Sequence, residues 1–272
     1  MDAGAPHADG TGGSGNHALL VAGLGSGTGR DGRTFDLPFE LLGYEPGDAT
    51  WFSYAGDGGA YGAADTYAPT LTSAARLAEQ LRARQREEPG RPVDLIAHSH
   101  GGVVVLAFLE LVYDPDDPSF PPIGHVVTIA SPLEGVPLAS WVAERASGGE
   151  LGRTAVGLGD RLLGDVAPDP WSAAVADLAE GSDLMRRLAA APLPEGVRLT
   201  TIGSMFDVVV PADMATTDGA THTVVTTDPI GAHGDVTHHP ETLRAVRAAL
   251  EGRRPPCRAV LDLLLGEVVP HR

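Results

Sequence analysis

The sequence predicts an α/β protein built on a mostly parallel, doubly wound sheet that carries a helical insertion. Three observations lead there. Short apolar runs alternate with helical stretches, the pattern of a parallel sheet covered on both faces. At residues 93–108 a strand passes into a helix through a serine with small residues two positions to either side. The one long stretch without strand character, 133–196, falls between two strands.

Taken in order, residues 1–17 hold Gly, Ala, Asp, Ser and Thr with no hydrophobic segment, so they read as a flexible tail rather than a secretory signal. The domain then runs over 18–272. Residues 18–22 are a buried strand leading into the glycine loop 23–29, and 51–54 make a second strand after the Pro46-Gly47 turn. Over 72–86, Ala75, Leu77, Ala78, Leu81 and Ala83 alternate with Arg, Glu and Gln as in an amphipathic helix, closed by Pro89-Gly90. Strand 93–97 and helix 101–113 follow, then strand 124–130 ending at Ser131-Pro132. Residues 199–202 and 223–226 are the last strands. Helix 240–251 begins at Pro240 and sets Leu243, Val246 and Leu250 on one face. The insertion has helical patches at 138–146, 172–179 and 183–191, and is expected to cap a site.

Composition narrows the function. A chain of 272 residues suffices for one α/β domain with a full core. With 19 basic against 36 acidic residues, a net charge of −17, it lacks the cationic footprint that nucleic acid or an anionic membrane requires. The lone Cys257 rules out an internal disulfide framework, and no apolar run approaches the roughly 20 residues that span a bilayer. A cytoplasmic location is the expectation. Oligomeric state leaves no trace.

The chemistry centres on Ser99. A serine at the apex of a sharp strand-to-helix turn projects its hydroxyl away from the backbone, and the residues two before and two after must be small. Ala97 and Gly101 meet that need, and no other serine has Gly or Ala two before and Gly two after. Such a hydroxyl needs an imidazole to take its proton and a carboxylate to orient the imidazole, both from loops after later strands. Asp207, isolated among apolar residues past strand 199–202, is the candidate acid; Asp213 and Asp218 lie in a polar loop. His233, between Ala232 and Gly234 in the loop after strand 223–226, is the candidate base. His238 and His239 precede the last helix as alternatives, and His222 begins its strand. By position, the backbone N–H groups of Leu24 and His100 would receive a developing oxyanion.

Other sites fit poorly. The glycine loop has no lysine for a phosphate-binding P-loop, and its spacing fails G-x-G-x-x-G. His98 and His100 are two apart, but Gly102-Val103 stands where H-x-H-x-D-H needs an acid and a histidine, so no metal is expected.

With Ser99, Asp207 and His233 in that order, the chain resembles an α/β hydrolase over about residues 18–252. It is most similar to bacterial lipases and to lipase-like relatives of the GPI-inositol deacylases. The matching stretches are Ala97 to Gly102, Ile129 to Gly135, Asp177-Leu178 with Gly181-Ser182, and Asp207 to Pro211. Ala22 stands where the family commonly has histidine. The resemblance implies hydrolysis of carboxylic esters, with a small-molecule ester or lipid as substrate, through an acyl-enzyme and without a cofactor. Acyl transfer or thioester cleavage on the same three residues, and a non-catalytic binding protein, are the alternatives.

Overall fold

In a computed structural model, residues 14–28, 35, 37–56, 58–137, 139, 169, 171–229 and 232–255 are described. Six strands form one sheet: β1 (His17–Val21), β2 (Ala49–Trp51), β3 (Val93–His98), β4 (Ile123–Ile129), β5 (Arg198–Ser204) and β6 (Thr221–Val225). Their order is β2-β1-β3-β4-β5-β6, and every pairing is parallel. All carboxyl ends therefore lie along one edge, where an open α/β sheet places its site.

The described helices are α1 (Thr70–Glu87), α2 (His100–Leu111), α3 (Ala173–Asp177), α4 (Asp183–Ala190), α5 (Ala232–Asp235) and α6 (Pro240–Leu250). Strand residues alternate between two cores. Leu19, Val21, Leu95 and Ala97 pack with Leu77 and Leu81 of α1 and Val104 and Phe108 of α2. Leu20, Ile96, Val127 and Ile129 face the other way, against Val246 and Leu250 of α6. Burying each such side chain contributes about 1.5–3 kcal/mol, so the paired cores hold the strand ends in fixed register.

Helix α2 is buried along most of its length and starts directly at the sheet. That approach depends on Gly101, where a Cβ would stand 2.2 Å from the Val21 carbonyl oxygen.

The structure departs from the sequence expectations at several edges. The second strand is 49–51, not 51–54. Phe52 N still donates to the Leu20 carbonyl of β1 (2.8 Å), while Gln80 of α1 binds the backbone on either side: its Nε2 donates to the Trp51 carbonyl (3.0 Å) and its Oε1 accepts from Ser53 N (3.1 Å). The apolar signal at 52–54 instead supplies Phe52 and Tyr54 to the core. Strand β1 starts at His17, inside the expected tail, and Ser14 and Asn16 are tied to the buried carboxylate of Asp94. Strand β5 runs on through Ser204, whose burial hydropathy does not register, and β6 covers Thr221–Val225 rather than 223–226, starting at an exposed threonine.

Of the insertion's expected helices, 172–179 is α3 and 183–191 is α4, while nearly all of 138–146 lies outside the described residues. Ser172 and Ser182 cap α3 and α4 by accepting from Val175 N and Met185 N. Asp177, at the end of α3, accepts from Thr70 N (2.8 Å), fastening the insertion to the start of α1. Among the described residues no helix is long and apolar enough to cross a membrane.

Candidate active site

Strand β3 ends at His98, and Ser99 adopts φ 55°, ψ −133° before α2 begins. A non-glycine residue held in such a sparsely populated region costs roughly 1–3 kcal/mol, so its surroundings must fix it. They do so from both sides. Ser99 N donates to the Ile129 carbonyl on β4 (3.0 Å), and Gly102 N donates to the Ser99 carbonyl (3.0 Å). The loop after β1 closes against the serine side chain: a Cβ on Gly23 would lie 2.7 Å from Ser99 Cβ and 3.2 Å from its Oγ. The sequence reading did not single out Gly23, since this contact joins residues far apart in the chain.

Asp207 follows β5 with its side chain fully buried. Its Oδ1 accepts from Val209 N (2.8 Å) and Val210 N (2.9 Å), so the loop wraps the carboxylate. The free oxygen, Oδ2, is 2.7 Å from His233 Nδ1. A carboxylate accepts only, so Nδ1 carries the proton and Nε2 of the neutral imidazole is an acceptor. That Nε2 is 2.9 Å from Ser99 Oγ, and the hydroxyl therefore donates to it. Ser99, His233 and Asp207 thus form one hydrogen-bonded line at the carboxyl edge of the sheet. His233 sits on α5, a four-residue turn between β6 and α6, and keeps 22% of its side-chain surface exposed.

The other candidates are occupied elsewhere. His222 is near the start of β6, with Nδ1 2.7 Å from Thr201 Oγ1. His239 caps α6 by accepting from Glu241 N, and His238 Nδ1 lies 3.0 Å from Thr237 Oγ1. Asp213 and Asp218 are exposed.

The histidines flanking Ser99 point to different partners. His100 turns into the core, with Nε2 3.1 Å from Thr70 Oγ1 and its ring stacked on Tyr54. Burial pushes its pKa down to about 4, so it is neutral near pH 7. Its backbone opens α2 beside the serine, and Leu24 directly follows Gly23 in the opposing loop. His98 goes the other way: Nε2 is 2.9 Å from the carbonyl oxygen of His233, and the two rings lie 5.0 Å apart. The sequence held no sign of this partnership. Among the described residues no group of three or more His, Cys, Asp or Glu side chains could hold a metal ion.

A six-stranded parallel sheet, helices on both faces and a serine at the turn after the third strand make up an α/β-hydrolase fold. The chain belongs to the alpha/beta hydrolase family, whose sequence profile matches residues 18–265. No curated protein matches it significantly.

Among solved structures it is similar to the phospholipase PlaB of Legionella pneumophila, with a TM-score of 0.58 and 14% identity over 88% of this chain. It spans only 60% of PlaB. The mature lipase BlEst2 of Bacillus licheniformis aligns with a TM-score of 0.55 and 18% identity, over 85% of this chain and 91% of that one. A lipase-esterase related protein of Clostridium acetobutylicum gives 0.51 and 14% over 89% and 96%. At these identities the likeness establishes the shared fold.

Proposed function

We propose that this protein is a serine hydrolase that cleaves carboxylic esters through an acyl-enzyme. The observation that carries the reading is the unbroken line from Ser99 Oγ through His233 to Asp207, with contacts of 2.9 and 2.7 Å. Names of the similar structures, which include a phospholipase and a lipase, favour an ester substrate.

In this reading Ser99 Oγ attacks the ester carbonyl while its proton passes to His233 Nε2. The C–O π pair moves onto the carbonyl oxygen, which the Leu24 and His100 N–H groups receive; such donors are typically worth about 10²–10³ in turnover each. The tetrahedral intermediate collapses, His233 returns the proton to the departing alkoxide, and an alcohol leaves. Water then attacks the acyl-enzyme with His233 as base, and the carboxylic acid and free Ser99 result. Asp207 keeps the Nδ1 proton in place and stabilises the transient imidazolium.

A chain-length series of p-nitrophenyl esters on wild type and Ser99→Ala tests this. The wild type should turn over at least one member of the series and Ser99→Ala should lose that turnover by at least about 10³-fold. Equal rates from both would refute the reading.

A further inference from the structure

Two links join the segment 98–99 to His233. One is the imidazole contact with Ser99 Oγ at 2.9 Å, and the other is the contact between His98 Nε2 and the His233 carbonyl oxygen at 2.9 Å. They grip opposite ends of the same residue, its side chain and its main chain. We infer that His98 is a positioning residue, whose Nε2–H donates to the His233 carbonyl and so fixes the imidazole over Ser99. The inference rests on the esterase reading above.

The need for such a tie comes from α5. A four-residue helix has too few internal hydrogen bonds to hold itself, so its placement must come from tertiary contacts. His98, the last residue of a strand flanked by β1 and β4 and itself paired with Ile129, is a rigid anchor for it.

The proton assignment follows from the partner. A carbonyl oxygen only accepts, so Nε2 must carry hydrogen. A neutral ring with Nε2–H meets the requirement, and the site keeps it neutral. The ring lies between Phe35 and His233, at 5.7 and 5.0 Å, and although the residue retains some exposed surface, desolvation there pushes its pKa down to about 3. The charged groups facing it are Asp207 and, when protonated, His233 and His238. A neutral neighbour also spares the imidazolium formed on His233 during turnover from a like charge beside it.

The experiment compares His98→Phe, His98→Gln and Ser99→Ala on one p-nitrophenyl ester. Phenylalanine fills the space without a donor, and kcat should fall about 10- to 100-fold with KM within about twofold. Glutamine restores an N–H and should recover most of that loss, which packing alone would not do. Unchanged kcat in His98→Phe, or equal loss in both variants, would overturn the inference. If the variants do not fold, ¹⁵N NMR of the wild type decides: the Nε2–H tautomer of His98, with no titration between pH 5 and 9, is expected. An Nδ1–H tautomer or a titration in that range would overturn it. Full activity in Ser99→Ala would instead sink the esterase reading and leave the tautomer result standing.

Discussion

Gly23 and Ser99 touch across the site with no room for another atom, since a methyl group on Gly23 would stand 2.7 Å from Ser99 Cβ. The contact sets how closely the loop after β1 approaches the serine, and with it the position of the Leu24 N–H. Gly23→Ala is therefore expected to lower kcat by about 10²-fold or more while the protein remains folded. Stopped turnover assays with a thermal melt check this. A fully active alanine variant would mean that the loop does not help to form the site.

Asp207→Asn should be nearly silent structurally and severe functionally. An asparagine oxygen can still accept from Val209 and Val210, which leaves its NH₂ facing His233 Nδ1. The imidazole must then present a bare Nδ1 and move its proton to Nε2, where it can no longer accept from Ser99. A fall in kcat of roughly 10⁴ is expected, read from steady-state kinetics at pH 7–8.

Asp94 separates scaffold from site. Buried at the amino end of β3, it accepts from Tyr44 OH (2.7 Å), Asn16 Nδ2 (2.8 Å) and His125 N (2.7 Å), as well as from Ser14. Asp94→Ala strands these donors and should destabilise the protein by about 3–5 kcal/mol, as for other broken buried charged clusters. Urea melts measure that loss, and kcat of the folded fraction should stay within about twofold of wild type.

Stability should peak near pH 6.5. Burial lowers the pKa of His17 and His100 to about 4 and of His98 to about 3, so unfolding takes up protons below 6.5 and stability falls from there toward pH 3–4. Glu110 runs the opposite way. Its pKa is pushed up to about 8 by burial, and its Oε2 has no hydrogen-bond partner among the described residues. The folded state keeps a proton there that the unfolded chain releases above 4.5, so stability also declines as pH rises toward 8. Below 6.5 these histidines, joined by His222 whose pKa burial also lowers, outweigh one glutamate; above it Glu110 dominates. Melting temperatures from pH 4 to 9 should trace a maximum, and Glu110→Gln should flatten the alkaline side.

What the sequence discloses follows the range of the interactions involved. The turn at Ser99 is legible because its requirements, Ala97 and Gly101, are local. The parallel sheet is legible because both of its faces are apolar. Asp207 and His233 could be singled out because an isolated acid and a glycine-flanked histidine each follow a strand. Contacts between distant residues left no mark: Gly23 against Ser99, His98 on the His233 carbonyl, and Gln80 on the backbone of Trp51 and Ser53. The carboxyl end of β5, past the expected 199–202, was missed for another reason. Ser204 is buried by the sheet's geometry rather than by its own hydrophobicity.

Fluorophosphonate labelling followed by peptide mapping tests whether Ser99 is a nucleophile, because phosphonylation requires a serine hydroxyl that a neighbouring imidazole has activated. One adduct is expected, on the peptide bearing Ser99, that vanishes in Ser99→Ala and slows greatly when His233 is replaced by alanine. An adduct of undiminished yield in Ser99→Ala, or none in the wild type, would contradict it.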